Sequence, residues 1–406
     1  MINKIKLIIN NEKSLYFDNK IKYIFSSVIL MGIVLLSFML PGLSYTSLHR
    51  IPLLFAGFLS IMIFIYLFLY QKIFIDKYII SMLLFCLVII TSSLLNDPKQ
   101  IRQTEFLLTG IFIMLYEFIS SNVNKNKSIF SLYAGLSIFA LYFFLTYFKE
   151  IISLDVGRLG SIFGNENAIG NYFCFGYILG LYLALIKKNY ILIITIPFFA
   201  LLGALTGSKT FLVSLVMVTI AFIFVAFGKK KWYLSFIIVI VGIACVIGLL
   251  QLSIFATLKE RVLDMIRALT GSSNSIDMST IERYNMFFEG IYLFTYKPIF
   301  GWGCNGFAIN GAYHTYSHST ISDILCNFGM IGFVCFFMPL VSLAFNCQKA
   351  SDEKKLKIML LVFMICINLF GVSFSSKIYY LALSVLCACS TNYIETNDKR
   401  WLFYKE

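Results

Sequence analysis

The chain has 406 residues, of which 59% are hydrophobic and only 13% charged, and its formal net charge is +13. Soluble domains carry about 45–50% apolar and about 25% charged residues, so no soluble fold accounts for this composition. Nor does the positive charge read as a nucleic-acid surface, because the Lys and Arg residues sit in short runs between apolar segments, where they report topology.

The apolar residues cluster into stretches of roughly 16–24, the length needed to cross a hydrocarbon core about 30 Å thick at about 1.5 Å per residue. In chain order they predict about twelve transmembrane helices, at 22–40, 51–70, 78–95, 106–121, 129–147, 168–186, 190–205, 209–227, 233–252, 321–345, 356–374 and 377–392. The expected fold is an all-α polytopic membrane protein, with 1–406 as a single membrane domain because no fixed-period repeat or low-complexity linker divides it. Residues 1–21 are polar and Asn/Lys-rich, and no small-residue cleavage site follows the first apolar stretch. An uncleaved first helix and a cytoplasmic N-terminal tail are expected.

Placing that tail inside puts Lys72, Lys77, Lys125, Lys127, Lys187, Lys188, Lys229, Lys230, Lys231, Lys349, Lys354, Lys355, Lys357, Lys399, Arg400 and Lys405 on the same side. Short outer loops hold far fewer cations, so the positive-inside rule predicts both termini in the cytoplasm, with 393–406 as a C-terminal tail. Most of the ten Cys lie inside spans as small packing residues. Cys304 and Cys326 flank the long outer loop, and no paired spacing marks them as a disulfide.

Connections are short except two on the outer side, 148–167 and the long extracytoplasmic loop 253–320. Long ordered loops in compact proteins tend to carry function. The second opens with a charged helix-like stretch at 258–267 and breaks at a Gly/Ser/Asn run at 271–275. A second short helix is expected from about Thr280 to Tyr296, with Ser279 or Thr280 as N-cap, ended by Lys297-Pro298 and the Gly301-Trp302-Gly303 turn.

All three histidines, His49, His314 and His318, fall on the outer side of this topology. His314 and His318 have the i, i+4 spacing of a helical metal pair but lack a third ligand; general base and structural hydrogen bonding are the other readings. Outer-face cations standing apart from Lys runs are Arg158, Lys209, Arg283 and Lys377. At membrane depth such residues meet an anion or a water-filled cavity, or snorkel to the interface, and Lys377 fits the snorkelling reading. Arg158 opens a Gly/Asn-rich segment through Gly170, whose glycines allow close backbone approach. Lys209 follows Thr206-Gly207-Ser208 in a connection so short that it also suits capping of a helical hairpin. Aromatic residues crowd the long loop, among them Tyr284, Tyr292, Tyr296, Trp302, Tyr313 and Tyr316; sugar binding and an interfacial aromatic belt both produce that pattern. Within the spans Glu117 is the clearest charge, and the scarcity of others argues against a transporter such as a lipid-linked oligosaccharide flippase.

Three segments together resemble the bacterial O-antigen ligase and O-antigen or capsular polysaccharide polymerase superfamily. Arg158 to Asn167 is similar to the family's Arg-Gly segment followed by Phe-Gly-Asn-x-Asn. Ser208-Lys209 is similar to its Ser-Arg pair, with Lys in place of Arg. Arg283, Pro298-Ile299-Phe300-Gly301-Trp302-Gly303, His318 and Gly329-Met330-Ile331-Gly332 follow its order of loop Arg, turn, His and glycine-spaced span. His318 is followed by Ser319 where the family often has Asn.

The resemblance implies a glycosyltransferase of GT-C-like architecture in the bacterial cytoplasmic membrane, with its site on the extracytoplasmic face. It implies metal-independent inverting transfer without a cofactor, and as partners a polyprenyl-diphosphate-linked glycan donor, a glycan acceptor and the bilayer, with a chain-length regulator protein as a further one. The expected function is polymerisation of lipid-linked repeat units, and the alternative is ligation of the finished glycan onto lipid A core. His318 is then expected as the base and Arg283 as its catalytic partner. Arg158, Lys209, Asn165, Asn167, Tyr284 and Tyr316 are expected to bind diphosphate or glycan.

Reporter fusions after residues 128, 188 and 352 are expected to read cytoplasmic, and those after 160 and 290 external. A cytoplasmic reading after 290 would separate His314 and His318 from the outer face.

Overall fold

The computed structural model describes residues 75–101, 103–120, 125–153, 158–163, 165–227, 278–345 and 352–390, with isolated positions elsewhere. The expected spans at 22–40, 51–70 and 233–252, both tails, and the stretch at 258–267 lie outside these segments. The other expected spans all fall on helices: α1 (Lys77–Asn96), α2 (Gln103–Ser120), α3 (Lys125–Thr146), α5 (Glu166–Leu181), α6 (Thr195–Leu205), α7 (Lys209–Phe227), α10 (Thr320–Phe345), α11 (Asp352–Leu369) and α12 (Lys377–Ala388). Shorter helices α4 (Phe148–Ile152), α8 (Met278–Tyr296) and α9 (Gly306–Asn310) lie in the connections. No strand occurs among the described residues. Five of these helices are long and apolar enough to cross a bilayer: α1, α3, α5 with its continuation to Ile186, α7 and α10. The protein is an all-helical, polytopic membrane protein.

Local chemistry sets the helix ends. Asp76 caps α1 by accepting from the Tyr78 and Ile79 amides at 3.0 and 3.1 Å, and it also accepts from the Tyr116 hydroxyl of α2. Asn165 caps α5 by accepting from the Asn167 amide at 2.8 Å. The expected cap of α8 moves: the helix begins at Met278, so Ser279 and Thr280 lie inside its first turn. α11 stops at Leu369 rather than 374, and residues 370–376 form an irregular connection to α12.

Packing places α5 at the centre, with 83% of its apolar window buried. It lies along α6, α7 and α3, while α1 packs on α10, α2 on α12, and α7 on α11. Where helices approach most closely the residue is small. The Phe199 ring lies on Gly176 and the Phe211 ring on Gly203, in space that a larger side chain would need.

The main departure from expectation is in α10. The span is not one continuous helix, because Gly329 has φ 67° and ψ −166° and breaks it between Phe328 and Met330. Breaking a helix frees backbone groups that hydrocarbon cannot satisfy. The Pro298–Gly303 segment satisfies them. The Met330 and Ile331 amides donate to the Pro298 and Ile299 carbonyls at 2.8 and 3.3 Å, and the Trp302 and Gly303 amides donate to the Cys326 and Asn327 carbonyls at 2.9 and 2.8 Å. Ser92 of α1 adds its hydroxyl to the Asn327 carbonyl at 2.9 Å and to that of Phe300. Asn96 donates to the Gly301 carbonyl at 3.1 Å.

Both glycines are required by this geometry. Gly301 has φ 68°, and a Cβ there would overlap the Asn327 backbone; a Cβ at Gly329 would overlap the Ile299 carbonyl. Gly301→Ala and Gly329→Ala are each expected to cost about 1–3 kcal/mol or more and to lower the thermal midpoint in detergent by several degrees. Gly110→Ala is the contrast: nothing lies within 4 Å of the position a Cβ would occupy, so stability should hold or rise slightly.

Candidate functional site

A cavity of about 540 Å³ opens at one end of the bundle. It is lined from the start of α2 (Glu105), the start of α5 (Asn165, Asn167, Asn171), Thr210 of α7, Arg283 of α8 and Asn305 before α9. The His314–His318 segment, the first half of α10 (Asp323, Asn327) and the 370–376 connection complete it. Each of these belongs to a loop or helix end expected from the sequence on the outer side. Of the sequence-predicted residues, His318, Arg283, Asn165, Asn167 and Tyr316 line this cavity, as does His314.

His318 sits at the end of an irregular segment that is not helical, so the i, i+4 spacing of His314 and His318 does not stack the two rings on one helix face. Both histidines have left-handed backbones, with φ of 52° at His314 and 59° at His318, a conformation that costs a non-glycine residue free energy and persists only when neighbours enforce it. The Tyr316 ring lies 4.3 Å from the His318 ring, centroid to centroid, and tilted to it. Burial, and then the positive field of Arg283, lower the His318 pKa to about 4. The imidazole is therefore neutral at physiological pH and can accept a proton. His314 is exposed, with Nδ1 3.4 Å from the Ala308 carbonyl.

The remaining predicted residues lie apart. Arg158 pins the start of α5 to the α6–α7 turn: its Nε donates to the Thr206 carbonyl at 3.2 Å, one terminal nitrogen donates to Asn167 Oδ1 at 3.0 Å, and the other lies 3.5 Å from Glu166 Oε2. Arg158 and Lys209 are not among the cavity-lining residues, although Thr210 beside Lys209 is. Tyr284 is 64% exposed on the outside of α8, with its ring 4.7 Å from that of Phe288. Cys304 and Cys326 are both buried, and no disulfide joins them.

Sequence reasoning missed several polar residues of the cavity, among them Glu105, Asp323, Asn327 and Asn171. Glu105 is 1% exposed and Asp323 3%, and neither carries a motif signal. Asn171 follows Asn167 by one turn on the same face of α5, a spacing visible in the sequence. With Lys357 also 4% exposed, buried charge is more frequent than Glu117 alone suggested.

A family model described as O-antigen ligase matches residues 191–337. This segment belongs to the O-antigen ligase and polymerase superfamily. No curated protein matches the chain. The O-antigen ligase domain contains Lys209, Arg283, His318 and both glycine motifs, and the facing wall of the cavity, with Asn165, Asn167 and Glu105, lies outside it.

A base with a pKa of about 4 changes charge only well below neutrality. The kcat/KM of the free enzyme is therefore expected to show no His318 limb between about pH 5 and 7. An anionic substrate held by Arg283 would offset the guanidinium's effect and raise the imidazole pKa, so the acid limb of kcat should lie above that of kcat/KM. A common limb near 6.5 in both profiles would contradict the buried, Arg-adjacent placement of His318.

Proposed function

We propose that the protein polymerises polyprenyl-diphosphate-linked oligosaccharide repeat units at the outer face of the cytoplasmic membrane, by inverting glycosyl transfer at the His318–Arg283 cavity. The observation that carries this reading is the pairing, within the O-antigen ligase domain, of a neutral imidazole and a guanidinium in one polar cavity at one end of an apolar bundle. Neutral imidazole accepts the proton of the acceptor hydroxyl as its oxygen attacks the anomeric carbon. The bond from that carbon to the diphosphate breaks on the opposite face, and the electron pair leaves with the diphosphate, whose growing charge Arg283 stabilises. The acceptor oxygen and the imidazole are left neutral and positively charged respectively, and the imidazolium later returns its proton to water. Asn165, Asn167 and Asn171 offer amide groups to sugar hydroxyls, and Tyr316 offers a ring face. Arg158 acts by fixing Asn167 and the start of α5.

Ligation onto lipid A core is the second reading, supported by the description of the matched family. It uses the same donor and differs in the acceptor alone. Purified protein in nanodiscs, given lipid-linked repeat units and no nucleotide sugar, should extend them into a ladder; transfer only when lipid A core is added would favour ligation. Removing a general base typically costs about 10²–10⁴-fold in rate, so His318→Ala should leave unextended units at normal protein levels. Arg283→Ala removes a charge-assisted contact to diphosphate worth on the order of 3 kcal/mol, about 10²-fold in kcat/KM. Normal ladders from either variant would remove that residue from the mechanism.

A further inference from the structure

The left-handed backbone at His318 has to be enforced by its surroundings, and the hydrogen bonds of the flanking residues enforce it. Ser317, immediately before it, is fully buried, and its amide donates to Asp323 Oδ1 at 3.0 Å. The Ser317 hydroxyl donates to the Ser319 carbonyl at 2.9 Å, bridging over His318. Just beyond, the Thr320 amide and hydroxyl both donate to the Gly371 carbonyl, at 2.9 and 2.7 Å. The segment is thus anchored on one side by the 370–376 connection and on the other by Asp323.

Asp323 is in turn part of a chain. Its Oδ2 accepts from Asn327 Nδ2 at 3.2 Å, and Asn327 Oδ1 accepts from the Phe307 amide at 2.8 Å. The Asn327 carbonyl accepts from Gly303, in the turn that fills the break in α10. Asp323 and Asn327 lie one turn apart on α10, both line the cavity, and each is 3% exposed. The directions of these bonds are fixed: an amide at each end donates inward, so the pair needs exactly one side-chain donor between them, and the Asn327 amide supplies it.

We propose that Asp323 is a positioning residue for His318, acting through the relay Phe307 amide, Asn327, Asp323, Ser317 amide to hold the imidazole in the cavity. This rests on the reading of His318 as the base. Each Asp323 oxygen accepts from one of these donors, and in this proposal the carboxylate acts through the Ser317 backbone rather than on the sugar. A carboxylate that abstracted the proton itself would need an oxygen open to the acceptor.

The relay makes a rescue experiment possible. In Asp323→Asn, two side-chain amides face each other while Ser317 and Phe307 both still require acceptors, so one bond in the chain is lost. In Asp323→Asn combined with Asn327→Asp, the polarity of the middle bond is reversed and every donor again meets an acceptor. Hydrogen exchange at 314–320, followed by mass spectrometry in nanodiscs, reads positioning without any turnover. Elongation of lipid-linked repeat units reads its consequence, with the wild-type ladder as the control on the proposed reaction.

Asp323→Asn is expected to speed exchange across 314–320 and to lower kcat about 10–100-fold with donor KM within about twofold, since positioning errors act on chemistry. The swapped pair is expected to recover both protection and most of kcat. Should the single variant fail to accumulate in the membrane, the swapped pair still decides the matter through its own exchange and rate. A swapped pair that is protected like wild type but inactive would assign the carboxylate at 323 a direct role and overturn the proposal, and so would unchanged exchange in the single variant. Absence of a wild-type ladder would count against polymerisation alone and leave the exchange result standing.

Discussion

The structure turns on one requirement, that backbone freed by a broken helix inside an apolar bundle must find partners. At Gly329 the chain stops being helical, and in hydrocarbon each unmatched amide or carbonyl would cost several kcal/mol. The partners come from a segment about thirty residues earlier in the chain, Pro298–Gly303, which lies against the break and exchanges hydrogen bonds with both of its sides. Once that pairing forms, other placements follow from it. α8 is drawn against the first half of α10, where the Ser322 hydroxyl donates to the Phe287 carbonyl at 2.9 Å and the Trp302 indole to that of Leu293. Arg283, on the same helix, is thereby delivered to the cavity, and the half-helix bearing Asp323 and Asn327 is held to the α9 turn.

The electrostatics of the cavity follow from the same arrangement. A guanidinium beside a half-buried imidazole suppresses its protonation, and both effects on His318, desolvation and the Arg283 field, act in the same direction. The result is an imidazole that is neutral at physiological pH and would grow more basic if an anion neutralised its neighbour. For a reaction in which an anionic diphosphate departs, this couples donor binding to proton acceptance. An aqueous site would screen the pair and weaken the coupling, whereas a partly desolvated cavity keeps it.

Much of this fold was legible in the sequence, for definite reasons. Apolar runs of spanning length locate helices because the bilayer imposes length and composition together, and the runs at 78–95, 129–147 and 209–227 match α1, α3 and α7 within a few residues. The break in α10 was not legible that way, since Phe328, Met330 and Ile331 keep the run apolar across it. The end of α11 at Leu369 was missed for the same reason, because the residues after it remain partly apolar. His318 and Arg283 were found through a motif in the right order, while Asp323 and Glu105 were not, because their value depends on which distant segment they face. Asn171 could have been found from its i, i+4 relation to Asn167. The two glycine motifs were recognised as a pattern, but that one fills the break made by the other is a fact of three dimensions.

Arg158 shows why a matching motif and a catalytic role are separate matters. A guanidinium offers five N–H donors, and here they reach the Thr206 carbonyl, the Asn167 amide oxygen and the neighbourhood of the Glu166 carboxylate. Those contacts join three pieces of chain: the connection after α4, the first turn of α5 and the turn between α6 and α7. Asn167, which Arg158 holds, lines the cavity. An Arg whose donors hold these segments together serves the site as a strut. Arg283 lines the cavity, and its field is felt at His318. Of the two arginines in the family pattern, the one in the long loop lies in the cavity beside His318, where the proposed reaction needs a cation, and the one before α5 ties Asn167 of the cavity wall to the α6–α7 turn.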